Sequence, residues 1–313
     1  MTRKTVLIVD DSATMRALIR AALERHPELE VVGEAGDPLQ ARLAIRAFQP
    51  DVLTLDIEMP NMNGLEFLER MMRLKPMPVV MVSTLTQAGA EATVAALELG
   101  AVDWFAKPQG AGSAAFDGLA EVVAAAARAR VFATPDGPPV DHDPGYRPSA
   151  GVVAIGSSTG GVEALMAILG RYPPNGPATV VTQHMPASFT ASLAARLDRT
   201  CAPRIAEARG GERLQPGHVY LAPGGERHTV VRRQGNDWML ALVEGETVSG
   251  HRPSVDRLFH SVAEAVGPEG VGVILTGMGR DGADGLLAMR LAGASTIGQD
   301  EASSVVFGMP KVA

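Results

Sequence analysis

Residues 152–169 read VVAIGSSTGGVEALMAIL. A run of strand-forming residues passes into a small glycine-rich turn, Gly156-Ser157-Ser158-Thr159-Gly160-Gly161, which opens into a helix with apolar periodicity. Such a unit can cradle a phosphate, hold a nucleophile on a tight turn, or simply reverse the chain. Under all three readings it marks a parallel α/β sheet. What the turn does depends on the residues that other strands bring to it.

The chain has 313 residues, of which 46% are hydrophobic, 20% charged and 4% aromatic. This is the composition of an ordinary soluble α/β protein, and the length suits two domains with a core each. Apolar runs such as VVMV and VGVILTGMG fall far short of the roughly 18 residues that a membrane span needs. The opening MTRKTVLIVDD enters a strand directly, unlike a secretory signal. Cys201 is the single cysteine, so no internal disulfide can form, and a reducing cytoplasm fits best. The net charge is −7; residues 1–125 hold 11 Lys/Arg against 17 Asp/Glu, and the remainder 17 against 18. Neither half has the basic excess that binding a phosphate backbone needs, which argues against nucleic acid.

Residues 132–151, FATPDGPPVDHDPGYRPSAG, hold five prolines, three glycines and three aspartates without apolar periodicity. That is the composition of an extended linker. The expected organisation is a first domain over 1–125, a linker over 126–150 and a second domain over 151–313. In the first, TVLIVD, VVGEA, DVLTLD, VVMVS and AVDWFAK alternate with helical patterns, as in a doubly wound five-stranded parallel sheet. The second begins β-α-β-α, with Ser188 as a candidate N-cap for a helix near 189–199. Its middle, HVYLAP, HTVVRR and WMLALV, reads as short strands, with QGND signalling an antiparallel hairpin. A parallel pattern then returns through VGVILT and a helix near 282–293.

In an open parallel sheet, chemistry gathers beyond the carboxyl ends of the strands. Asp10 and Asp11 end the first strand, Asp56 the third, Ser83 and Thr84 the fourth, and Lys107 follows the fifth. Carboxylates forced together repel unless a cation joins them, and aspartate oxygens suit Mg²⁺. A lysine and a hydroxyl beside them could hold a phosphoryl group on Asp56. The bland alternative is a helix cap for Asp10 or Asp11 and a solvated turn for Lys107; it weakens as more strand ends carry such residues.

For the glycine-rich turn, a Walker loop fails because no Lys-Ser/Thr pair follows. A dinucleotide fingerprint fails because Ser158 stands at the middle glycine position and ATVVTQH ends without a ribose-binding acid. A Gly-x-Ser-x-Gly turn presenting Ser158 remains, beside the plain chain reversal. A serine needs a base and an acid that orients the base. His184 follows the next strand, and Asp281 follows VGVILT. His184 could also be a turn histidine, and Asp281 or Asp284 could cap the helix GADGLLAMRL; Asp284 is the second candidate for the acid. The order Ser–His–Asp differs from that of α/β-hydrolases. His218, His228, His251 and His260 lack zinc-ligand spacing and read as structural or substrate-facing.

Two resemblances follow from these motifs. VLIVDDSATMR, LTLDIEMPNMNGLEFL, VVMVST and AVDWFAKP resemble response-regulator receiver domains across 1–125. The resemblance implies that Asp56 accepts phosphate from a chemotaxis histidine kinase. It further implies that Asp11, Asp56 and the Glu58 carbonyl bind Mg²⁺ with help from Asp10, that Ser83 and Lys107 sense the phosphoryl group, and that Trp104 holds a switching position. IGSSTGG, TQHMP, LAPGGERH, HRPSVDRLFHS and LTGMGRDGADG resemble the catalytic domain of chemotaxis protein-glutamate methylesterases, the CheB family, from 151 to the end. That resemblance implies a Ser158–His184–Asp281 triad with the Met278 N–H in the oxyanion hole, and no cofactor for ester hydrolysis. The implied substrates are methyl-accepting chemoreceptors, with glutamine deamidation as a second activity, at a cytoplasmic location peripheral to receptor arrays. It also implies a further helix and strand after FGMP, beyond Ala313. The competing expectation is a receiver-linked regulatory binding protein whose serine site is silent.

Overall fold

The computed structural model describes residues 2–59, 62–84, 86–108, 116, 118–129, 131 and 151–313. The expected linker falls mostly outside them, at 132–150. The chain divides into two compact units, Met1–Asp136 and Gly137–Ala313.

In the first unit β1 (Lys4–Val9), β2 (Leu29–Ala35), β3 (Val52–Asp56), β4 (Val79–Ser83) and β5 (Asp103–Ala106) alternate with α1 (Ala13–Leu23), α2 (Pro38–Phe48), α3 (Gly64–Leu74), α4 (Gln87–Glu98) and α5 (Leu119–Ala126). The strands lie in the order β2-β1-β3-β4-β5 and are parallel throughout. Every residue of β3 and β4 is buried, as expected of strands covered on both faces, and their sequences are correspondingly almost continuously apolar. Ser12, Asp37, Asn63 and Thr86 cap α1 to α4 by accepting backbone N–H groups. Ser12 therefore does the capping that the bland reading gave to Asp10 or Asp11. The chain leaves β1 for β2 on one side and continues to β3 on the other, so the crevice beyond β1 and β3 is a topological switch point.

The second unit runs β6 (Val152–Ser157), α6 (Gly161–Leu169), β7 (Ala178–Gln183), α7 (Ala187–Thr200), β8 (Arg204–Glu207), β9 (His218–Leu221), β10 (Arg227–Gln234), β11 (Asp237–Glu244), α8 (Val255–Ala265), β12 (Gly270–Ile274), α9 (Ala283–Leu291), β13 (Ser295–Gly298) and α10 (Met309–Val312). Six strands form a parallel sheet in the order β13-β12-β6-β7-β9-β8. Val152, Ala154, Ala178 and Val180 pack with Leu258, Phe259 and Val262 of α8 and Met289 of α9. Alternation sends Val153 and Ile155 to the other face, where they are also buried.

The antiparallel hairpin β10–β11 closes at QGND, where Gln234 pairs with Asp237 and Gly235 takes φ +62°. Val231 and Leu240 join it to the same core. The Val231 N–H donates to Ser261 Oγ at 2.9 Å, and Trp238 Nε1 to the Ala265 carbonyl at 3.2 Å. Among the described residues no helix is long and apolar enough to cross a membrane.

Two local expectations change, and two strands are new. Ser188 lies inside the first turn of α7, whose N-cap is Pro186 with no side-chain cap bond; the proline sets the entry to the helix before the serine can. HVYL, grouped by sequence with the hairpin strands, pairs parallel to β7 and β8 instead. The edge strands β8 and β13, RIAE and STIG, have no counterpart in the sequence reading. Each is four residues long and largely solvent-facing, so neither carries the apolar run that marks a buried strand.

Candidate active site and acidic cluster

β12, β6 and β7 are adjacent, and Asp281, Ser158 and His184 follow their respective carboxyl ends. The chain moves from β6 to β7 on one side, and β12 lies on the other, so Ser158 sits at a second switch point. Local bonds set the level of each residue. The His184 N–H donates to the Ser157 carbonyl at 3.1 Å, and the Ser158 N–H to the Thr276 carbonyl at 3.0 Å. Gly160 takes φ +74°, and a Cβ on Gly161 would stand 2.1 Å from Gln183 Oε1. A side chain at 161 would push α6 away from the end of β7, and one at 160 would be strained by its positive φ and would meet Val305.

The two candidate acids differ sharply. Asp284 is exposed and paired with Arg280 at 3.1 Å, whereas Asp281 is 1% exposed. Asp281 Oδ2 lies 2.8 Å from His184 Nε2. Asp281 does not cap α9, whose N-cap is Gly282. It accepts instead from Ser254 Oγ at 2.8 Å and from the Val255 and Asp256 N–H groups at 2.7 and 3.1 Å, the start of α8. Burial alone would raise its pKa. The His184 contact and the helix N–H groups overcome that and hold the carboxyl below its ordinary range. Asp256 is pushed the other way, by burial and then by the Asp281 charge, although the Gly285 N–H donates to it at 2.7 Å.

His184 Nδ1 is buried and hydrogen-bonded to nothing among the described residues. An orphaned buried polar atom costs about 1–3 kcal/mol and calls for a functional reason. On the ring face lies His251, with centroids 3.7 Å apart and planes 7° from parallel. His228 is structural: it accepts from the Ser254 N–H at 3.2 Å and contacts the Glu246 carbonyl at 2.9 Å. His260 is exposed, and His218 faces the Pro216 carbonyl at 3.2 Å.

Sequence reasoning missed Gln183. Its buried amide accepts from Ser157 Oγ at 2.7 Å and donates to the carbonyls of Ser158 at 2.9 Å and His184 at 3.3 Å. A polar residue at the end of an apolar strand, ATVVTQ, was the available signal. Met278 is 41% exposed, and its N–H donates to no acceptor among the described residues. The preceding Gly277 touches the serine: a Cβ there would lie 2.7 Å from Ser158 Cβ and 2.4 Å from Met309 Sδ. Gly277→Ala should therefore displace the 277–278 loop, lowering kcat by roughly 10²-fold. Steady-state kinetics on folded protein checks this; an unchanged kcat would mean that the loop does not set the reaction geometry.

In the first unit, Asp10, Asp11 and Asp56 each offer an oxygen within 4.8 Å of the others. Lys107 Nζ reaches Asp56 Oδ2 at 2.7 Å and Asp10 Oδ2 at 2.9 Å. Its backbone N–H donates to the Ser83 carbonyl at 2.7 Å, which anchors the lysine to β4. Burial raises the Asp56 pKa to about 6 and outweighs the Lys107 contact, with the Asp10 charge pushing the same way. Burial disfavours the Lys107 charge, but Asp56 and Asp10 hold its pKa above the ordinary lysine range. The Glu58 N–H donates to Asp56 Oδ1 at 3.3 Å. Ser83 Oγ is engaged with Thr93 Oγ1 at 2.8 Å, and Trp104 is half-buried on β5. A cleft of about 300 Å³, lined by Asp56, Glu58, Met59, Ser83 and Thr84 among others, adjoins the cluster. Three carboxylates face one ammonium there, an excess of negative charge that fits a divalent cation bound through oxygen.

Residues 153–313 match the family model described as CheB methylesterase, and residues 6–113 match the one described as Response regulator receiver domain. A Caulobacter vibrioides protein named protein-glutamate methylesterase/protein-glutamine glutaminase 1 is 61% identical, covering 100% of this chain and 92% of its own length. An Agrobacterium fabrum protein named protein-glutamate methylesterase/protein-glutamine glutaminase is 57% identical over 98% of this chain and 90% of its own. Among solved structures, the catalytic domain of Thermotoga maritima CheB methylesterase is 42% identical. It covers 52% of this chain and 87% of that one, with a TM-score of 0.50.

Proposed function

The chain belongs to the CheB methylesterase family, and from that premise we propose that it is a phosphorylation-activated serine hydrolase. Its substrates are glutamate γ-methyl esters on methyl-accepting chemoreceptors, with receptor glutamines as a second class. The carrying observation is the 2.8 Å His184–Asp281 pair at the strand end beside the Ser158 turn, with the opposite ring nitrogen buried and unpartnered.

In this reading Ser158 Oγ attacks the ester carbonyl carbon while His184 Nδ1 takes its proton. Asp281 holds Nε2 and stabilises the imidazolium. The Met278 N–H donates to the oxyanion. As the intermediate collapses, the carbon–oxygen bond to methoxide breaks, and His184 returns the proton to give methanol. Water then attacks the acyl-enzyme with the same base, releasing glutamate and restoring Ser158. A glutamine amide follows the same course, with ammonia as leaving group. The alternative of a silent regulatory protein finds no support among the relatives above, each of which is named for an enzyme activity.

The domain organisation proposed is a receiver over 1–125, a linker over 126–150 and a catalytic domain over 151–313. Asp56 is the phosphoryl acceptor from a histidine kinase. Asp10, Asp11, Asp56 and the Glu58 carbonyl are the residues that would hold Mg²⁺, which supplies charge neutralisation when bound. Lys107 and Ser83 respond to the phosphoryl group. The protein works in the cytoplasm beside receptor arrays.

Methanol release from methyl-labelled receptor membranes, with and without acetyl phosphate, tests the reading. No release in either condition would overturn it. The pH dependence of phosphorylation gives a second check. Only the ionised carboxyl is a nucleophile, and Asp56 takes up a proton as pH falls through about 6. Phosphorylation by acetyl phosphate at limiting Mg²⁺ should therefore slow below that pH; a rate flat from pH 7 to pH 5 would contradict the assignment.

A further inference from the structure

The hydrogen bond from His184 to Asp281 fixes one atom of the imidazole. It leaves the ring able to swing about that contact, and such swinging would carry Nδ1 off line. The stacked ring of His251 opposes this motion. His251 opens the segment HRPSVD, 251–256, whose Ser254, Val255 and Asp256 supply three donors to Asp281. One short segment thus touches both the base and the acid.

The segment is itself held firmly. His251 and Val248 exchange backbone hydrogen bonds at 2.9 and 3.1 Å. Arg252 donates to the carbonyls of Gly225 at 3.1 Å and Gly245 at 2.8 Å. The Ser254 N–H rests on the buried His228.

We propose that His251 is a positioning residue for the reaction, its flat face fixing the plane of the His184 ring so that Nδ1 remains available to Ser158 while Nε2 stays on Asp281. This rests on the triad reading above. The electrostatics agree with it. Burial first, and the neighbouring His184 second, push His251 down to about 4 against the opposing pull of Asp281. His251 is then neutral at pH 7. A protonated ring in its place would repel the imidazolium that forms on His184.

The test compares His251→Ala, His251→Leu and His251→Phe in the full chain. Leucine refills the space without a plane, and phenylalanine restores a neutral plane. The readouts are kcat and KM for methanol release, the thermal midpoint, and the rate of inactivation by a fluorophosphonate with the Ser158 adduct identified by mass. The Ala and Leu variants should show kcat and inactivation rates roughly 3- to 10-fold lower with KM unchanged, and the Phe variant should stay close to wild type. A Leu variant as fast as wild type, or a Phe variant as slow as Leu, would overturn the proposal. Failure of the functional reading looks different: wild-type protein would react with the probe at Ser158 yet release no methanol, and the probe rates would still judge His251.

Discussion

Ser158→Ala should lower methanol release by roughly 10⁴-fold or more, with His184→Ala nearly as severe and the double variant little worse than either. Non-additivity is the informative part. A nucleophile and its base act as one unit, so removing the second after the first costs almost nothing further. Asp281→Asn should cost about 10⁴-fold and also loosen α8, because its carboxylate receives the N–H groups of Val255 and Asp256. Ser157→Ala is the matched control. The Ser157 hydroxyl is buried and spent on Gln183, so its loss should remove about 1 kcal/mol of stability and leave the nucleophile in place. Initial rates on labelled receptor membranes, read beside thermal midpoints, separate the two serines. Dead Ser157→Ala protein beside fully active Ser158→Ala protein would reverse the assignment.

Asp56→Asn should abolish both the phosphoryl adduct and the response of the esterase to phosphodonor. Intact mass after acetyl phosphate and Mg²⁺ is expected to show one phosphoryl group on the wild type and none on the variant. The amide cannot attack phosphorus as a carboxylate does. If coupling between phosphorylation and activity is about 1–3 kcal/mol, the wild type gains roughly 5- to 150-fold on phosphorylation, and the variant stays at the basal rate. The fragment 149–313, which lacks Asp56, should likewise ignore phosphodonor. An adduct of equal yield on Asp56→Asn would place the acceptor elsewhere.

Most of the architecture was legible in advance because the signals are local. TVLIVD, DVLTLD and VVMVS announce buried strands by their own apolar continuity, and the helical patterns between them announce the helices, whereas the caps Ser12, Asp37 and Asn63 emerge only in the structure. The misses share one cause. Strands β8 and β13 are short edges with little apolar content, and the place of HVYL in the parallel sheet depends on which strand it meets, which no local pattern records. Ser188 was read as a cap from residue type, while Pro186 already sets the entry to α7.

The candidate site divides in the same way. Sequence alone determined that Ser158 ends a strand on a glycine turn, that His184 and Asp281 also follow strands, and that three aspartates and a lysine follow strands in the first half. Each of these is a fact about a few consecutive residues. Only the tertiary structure decided that β12, β6 and β7 are neighbours, that Asp281 rather than Asp284 turns inward to His184, and that His251 lies flat on the base. The His184–Asp281 contact joins residues 97 positions apart, and the pairing of β12 with β6 spans a still longer stretch of chain. They arise from packing the sheet and α8 around one core, which turns Asp281 inward and leaves Asp284 on the surface beside Arg280.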